Sequence, residues 1–188
     1  MKFILASRSP RRRELLSKIV PDFEIITAET DETLPCGMHP RLGVEFLAKK
    51  KGEAVLSLAP NDALIISSDT LVELDGIPLG KPLDEADALK ILMKLAGKEH
   101  HVHTGVAVHY RNECFSGVDT ASVKFKSFTE KEAIEYIKTG EPMDKAGAYA
   151  IQGIGAGLVE KYNGDFNAIV GLGLALTERL IKEAVKND

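Results

Sequence analysis

Residues 7–16 read SRSPRRRELL, with Ser9 placed to cap a helix, Pro10 at its first position and Arg11, Arg12 and Arg13 in its first turn. A helix N-terminus already carries partial positive charge, so three guanidinium groups there oppose the helix. The arrangement makes sense if an anion such as a triphosphate docks on the free N–H groups and the guanidinium forks. A solvated basic turn is the competing reading.

A second group lies in ISSDTLVELDGIPLGKP, residues 66–82. Here Asp69 follows a buried-looking strand, and Lys81 follows a hairpin signalled by Asp75-Gly76, so that carboxylate and cation can face one cleft. Such an Asp can orient or deprotonate a water, or bind Mg²⁺, which takes one or two carboxylates plus substrate phosphates. A turn or cap role is the plainer alternative. Asp31 and Glu32 are adjacent carboxylates in the loop TDETLPCG, and Lys50 and Lys51 lie near the apolar side of the helix that follows. Either lysine can snorkel to solvent or extend towards phosphate, and spacing does not choose between them.

Gln152 stands in DKAGAYAIQG, residues 144–153, among small residues that let a ligand approach the backbone. Its amide can donate and accept together, which suits the edge of uracil or thymine; a structural turn is the other possibility. Alternation puts His101, His103 and His109 on one strand face. No carboxylate or cysteine is placed with them, so a polar strand face accounts for them better than a metal site does. Cys114 reads as a core thiol without a designated base. GxxxxGK[ST], GxGxxG after the first strand and GxSxG are all missing.

These residues need a scaffold, and the pattern supplies a mixed α/β one. Lys2 to Ala6 reads as a strand, Pro10 to Ile19 as a helix, Phe23 to Thr27 as a strand and the segment from His39 as a long helix. Ala63 to Ser67 is a strand ending beside Asp69, and LVEL and IPL are short strands about the Asp-Gly turn. Asp84 caps a helix stopped by Gly97, and Val102 to Tyr110 and Phe115 to Phe125 are strands. Thr129 and Glu132 form a capping box for a helix reaching Lys138, Asn163-Gly164 punctuates another strand pair, and a last helix spans about Leu174 to Val185.

The chain has 188 residues, 44% of them hydrophobic and 28% charged, enough to bury a sizeable core in a single domain covering 1–188. A net charge of −4 argues against a grip on polymeric nucleic acid, which would need a basic face. Two cysteines fit neither a zinc site nor a disulfide framework, and a reducing cytoplasm suits them best. The apolar run before Ser7 is too short for a signal peptide or membrane span.

Taken in order, SRSPRRRELL, TDE, the lysine-bearing helix, SSDTLV, DGIPLGKP, TGVAV, GEPMDKAGAYAIQG and NGDFNAIVGL resemble the Maf family of nucleotide pyrophosphatases over nearly the whole chain. The resemblance implies an elongated mixed sheet flanked by helices, with two lobes and a central cleft, similar to the inosine triphosphate pyrophosphatases. It implies hydrolysis of a nucleoside triphosphate to monophosphate and pyrophosphate with Mg²⁺ or Mn²⁺, in a cytoplasmic homodimer. Asp69 would accept the proton of the attacking water, and Glu32 and Asp69 would hold the metal. Arg12, Lys51 and Lys81 would hold the phosphates, with Ser7 adding a hydroxyl. Arg12, Thr70 and Gln152 match the branch acting on dTTP and UTP. Other pyrophosphatases, for 7-methyl-GTP or inosine triphosphate, and a non-catalytic nucleotide-binding regulator of septum formation and cell division are the alternatives. The stretch Gly171-Leu172-Gly173 departs from the family's Gly-Leu-Pro and implies a looser loop before the last helix.

Overall fold

The computed structural model describes residues 1–186. Seven strands form one mixed sheet in the order β2-β1-β3-β5-β6-β7, with β4 paired to β3 off this path. The strands are β1 (Lys2–Leu5), β2 (Glu24–Ile25), β3 (Ala63–Leu74), β4 (Ile77–Leu79), β5 (Glu99–Tyr110), β6 (Glu113–Phe125) and β7 (Val159–Asn163). β1 runs parallel to β2 and β3; every other pairing is antiparallel. Around them lie α1 (Pro10–Ser17), α2 (Pro40–Glu53), α3 (Glu85–Leu95), α4 (Glu130–Ile137), α5 (Phe166–Val170) and α6 (Leu174–Val185). No described helix is long and apolar enough to cross a membrane.

The helix starts follow the capping chemistry read from the sequence. Ser9, Asp84 and Thr129 accept from the backbone N–H three residues on, and Thr129 and Glu132 close a reciprocal capping box. Elsewhere the structure corrects the expected boundaries. β3 is one continuous strand of 12 residues, so Asp69 sits inside it rather than at its end. Asn163-Gly164 does not join two strands: it ends β7, and Asp165 then caps α5. Residues 141–158 form a chain of 3-10 turns, and Gln152 lies in this segment.

Of three hydrophobic clusters among the described residues, two occupy opposite ends of the long central strands. Leu64 and Ile66 of β3 join Val106 and Val108 of β5 with Leu15, Leu16 and Leu180 in one. Val72 and Leu74 join Val102, Val123, Phe125, Leu92 and Tyr149 in the other. Asp69 and Thr70 fall between the two. The same point is a gap in the sheet, because β1 pairs with β3 over Ala63 to Ile66 and β4 pairs with the same edge over Val72 to Leu74. Neither strand covers the β3 residues between.

Helix α2 covers the other face of β3 and β5 at close range. A Cβ on Gly105 would lie 2.3 Å from the Val44 carbonyl oxygen, and one on Gly52 would lie 2.3 Å from His109 Nδ1. Only glycine lets helix and sheet approach this closely. Ser67, fully buried, donates to the Ala48 carbonyl at 2.7 Å and ties the helix to the strand.

Candidate active site

The gap in the sheet opens a cleft of about 960 Å³, lined by Ser7, Arg12, Glu32, Lys51, Asp69, Thr70, Lys81 and Gln152 among others. The eight residues to which the resemblance assigns roles all line this one cavity, and topology explains why. Ser7 follows the end of β1, Lys81 follows β4, and these two strands flank the gap that bares Asp69 and Thr70. Lys51 reaches in from α2, Arg12 from α1, and Gln152 from the turn-rich segment belonging to the other lobe.

The two lysines, which spacing left equivalent, lie in different places: Lys51 lines the cleft and Lys50 does not. Lys50 Nζ bonds Asp31 at 3.4 Å on the outside. Lys51 Nζ lies 2.5 Å from Asp69 Oδ1 and 2.8 Å from Glu32 Oε1, with only 17% of its side chain exposed. Partial burial pushes the Glu32 carboxyl up, but the Lys51 hydrogen bond and the charges of Lys51, Lys81 and Arg12 outweigh it and leave it below its ordinary value. The Asp31 carboxyl is held at about 2 by hydrogen bonds from Thr33 and Lys50.

Arg12 is anchored at every nitrogen of its fork. Nε donates to the Gly171 carbonyl at 2.9 Å, Nη1 to Ser7 Oγ at 3.4 Å and Nη2 to Thr70 Oγ1 at 3.2 Å. Burial pushes the guanidinium down, Asp69 and Glu32 pull it back up, and Arg11 adds to the lowering. Arg11 also lines the cleft, where it stands 3.7 Å from Asp144 across the two lobes. Arg13 does not reach the cavity wall.

Sequence reasoning missed the residues behind these groups. Thr104 Oγ1 stands 2.9 Å from Thr70 Oγ1, and Ser68 donates to the same Gly171 carbonyl that Arg12 uses, at 2.9 Å. Tyr149 lines the cleft while its hydroxyl meets His100 Nε2 at 2.8 Å behind the wall. The string TGVAV contains Thr104 but gave its hydroxyl no role. Glu73 was missed as well: its carboxylate lies 2.7 Å from His103 Nε2. Of the strand-face histidines His103 thus has an acidic partner, although no described group of three such residues meets at metal-ligand spacing. Cys114, expected in the core, is exposed, and desolvation pushes its thiol above the ordinary value. Gly173, where the family has proline, has no room for a side chain. A Cβ there would stand 1.8 Å from Asp119 Oδ2, so the space is filled.

A long mixed sheet flanked by helices, with a charged cleft opening at the gap along one edge of β3, defines the fold class. It is shared with the Ham1 protein of Staphylococcus aureus, whose solved structure aligns at a TM-score of 0.50 and 19% identity over 66% of this chain and 72% of that one. Residues 2–184 match the Maf-like protein family, and the chain belongs to the Maf family. It is similar to the dTTP/UTP pyrophosphatase of Bacillus velezensis, 47% identical over 97% of this chain and 96% of the relative. The dTTP/UTP pyrophosphatase of Aquifex aeolicus is 44% identical, covering 97% and 95% respectively.

Proposed function

We propose that this protein hydrolyses dTTP and UTP to the monophosphate and pyrophosphate. The observation that carries the reading is the meeting of Arg12, Lys51 and Lys81 with the Asp69 and Glu32 carboxylates in one cleft. Relatives more than 40% identical over nearly their whole length carry that activity in their names. A pure binding protein needs cations for a triphosphate but has no use for an acidic pair set among them.

In this reading Arg12 and Lys81 hold the phosphates from the two sides of the sheet gap, and Ser7 adds its hydroxyl. The incoming triphosphate draws Lys51 away from Asp69, which frees Oδ1 to take a proton from water. The water oxygen bonds the α-phosphorus as its bond to the bridging oxygen breaks, and pyrophosphate leaves with the electron pair. Positioning and charge neutralisation carry most of the acceleration. Gln152 reads the alternating acceptor and donor edge of the pyrimidine.

The acidic pair also suits a divalent cation. Glu32 and Asp69 already converge on one ammonium, at 2.8 and 2.5 Å, and two carboxylates plus substrate phosphates make an oxygen set that Mg²⁺ or Mn²⁺ accepts. When bound there, such an ion neutralises charge on the phosphates and on the departing pyrophosphate. We place the enzyme in the cytoplasm as a homodimer of single-domain chains, a reading supported by family membership.

The test is pyrophosphate release from dTTP, UTP, CTP, ITP and 7-methyl-GTP, with Mg²⁺ or Mn²⁺ and with EDTA. Release from dTTP and UTP that stops in EDTA is expected. Bound nucleotides left intact under every condition would remove the hydrolase reading.

A further inference from the structure

We propose that Thr104 is a positioning residue for Arg12, acting through Thr70. The proposal rests on the reading of the cleft as a phosphate site.

The proton count carries it. A threonine hydroxyl has one proton to donate. Thr104, fully buried and absent from the cleft wall, donates its proton to the Ala168 carbonyl at 2.7 Å. Its 2.9 Å contact with Thr70 must therefore use the Thr70 proton. That leaves the Thr70 oxygen facing Arg12 as an acceptor, and Arg12 Nη2 donates to it at 3.2 Å. The chain has one polarity throughout, from guanidinium to Thr70 to Thr104 to the Ala168 carbonyl. Thr70 lines the cleft, yet it keeps no proton for a base carbonyl.

The relay also has a second, shorter arm. Arg12 Nε donates to the Gly171 carbonyl, three residues beyond Ala168 at the end of α5, and Ser68 fixes that carbonyl from β3. Arg12 is thus held at both ends of its fork by backbone carbonyls of a single short helix and its cap, once directly and once through two hydroxyls. A side chain ordered before the ligand arrives spends less binding energy on its own immobilisation.

The experiment measures calorimetric binding of inorganic pyrophosphate alongside dTTP turnover for the wild type, Thr104→Val, Thr104→Ser, Thr70→Val and the Thr70→Val/Thr104→Val pair. Each valine variant should weaken pyrophosphate binding about tenfold, and Thr104→Ser should stay within about twofold of wild type. The pair should be no worse than Thr70→Val alone, since both cuts break one chain. KM for dTTP should rise with the binding loss while kcat changes less. Should Thr104→Val fail to fold, Thr70→Val interrupts the relay from the partly exposed side and must give the same loss.

Wild-type binding in folded Thr104→Val, with only its melting temperature lowered, overturns the relay, as does a pair whose losses multiply to about a hundredfold. If the wild type binds no pyrophosphate, the phosphate-site reading falls and the relay with it. The expected variant pattern without nucleotide cleavage supports the relay and removes only the hydrolase reading.

Discussion

Lys51 Nζ lies 2.5 Å from Asp69 Oδ1, so the proposed base is held by the cation that the substrate must recruit. Asp69→Asn should lower turnover by about 10²- to 10⁴-fold, the range a positioned general base contributes. The fold should survive, because Lys51 keeps Glu32 at 2.8 Å. Steady-state pyrophosphate release and a thermal melt on one preparation check both halves. Near-native turnover in a folded variant would remove Asp69 from its role.

Gln152 is exposed on the cleft wall and comes from the lobe opposite Arg12, where it can face a base while the phosphates meet the cations. Gln152→Glu loses the amide donors and keeps only acceptors. About tenfold loss of kcat/KM is expected for dTTP and UTP, with a smaller loss for CTP. An equal loss across all bases would mean that the residue positions something other than the base.

His100 should make stability depend on pH. Burial among Phe125 and Tyr149 lowers its imidazole to about 4 from the ordinary 6.5, with His101 adding to the lowering. The unfolded chain therefore binds more protons than the folded one between those values, and stability falls as pH drops through that window. The shift corresponds to about 3 kcal/mol at most. Burial lowers His103 and His109 in the same direction. Denaturant melts at pH 7 and pH 4.5 should give a smaller difference for His100→Gln than for wild type; an unchanged difference would place the sensitivity elsewhere.

How much of this was legible in the sequence varied by the kind of signal. Capping residues, the Asp-Gly hairpin and the ends of α3 and α6 were readable because they depend on neighbours a few positions away. Asp69 was misplaced at a strand end because Ser67, Ser68, Asp69 and Thr70 look like the polar start of a loop. Their polarity is satisfied by distant partners instead: the Ala48 carbonyl for Ser67 and the Gly171 carbonyl for Ser68. The turns of residues 141–158 were illegible for a similar reason. They are organised by Glu141, whose carboxylate accepts from Tyr136, Ile154 and Gly155 across up to 14 residues. The site residues themselves, Lys51 rather than Lys50 among them, came from residue type and family resemblance; spacing alone left that choice between the lysines open.

Gly173 offers a test of the departure from the family pattern. Gly173→Ala should destabilise the protein by about 1–3 kcal/mol, the range for overfilling a packed site, because the new methyl meets the Asp119 carboxylate. Burial and the nearby Asp165 push that carboxyl above its ordinary value, so it is already disfavoured as an anion. Asp119→Ala in the same chain should recover part of the loss in a denaturant melt. No recovery would mean that the cost arises from backbone conformation at the start of α6.

The glycines at the contact of α2 with the sheet, Gly52 on the helix and Gly105 on β5, have a bearing on function although neither lines the cleft. Gly52 and Gly105 leave no clearance between helix and sheet, and Lys51 rides on that helix. A methyl at position 105 would have to raise the Val44 turn, tilting the whole lever that carries the ammonium towards Asp69. The Lys50 contact with Asp31 would move with it, so the loop bearing Glu32 would feel the same displacement. Gly105→Ala should therefore resemble a change to the site itself, seen as reduced phosphate affinity, despite its place under the opposite end of the helix.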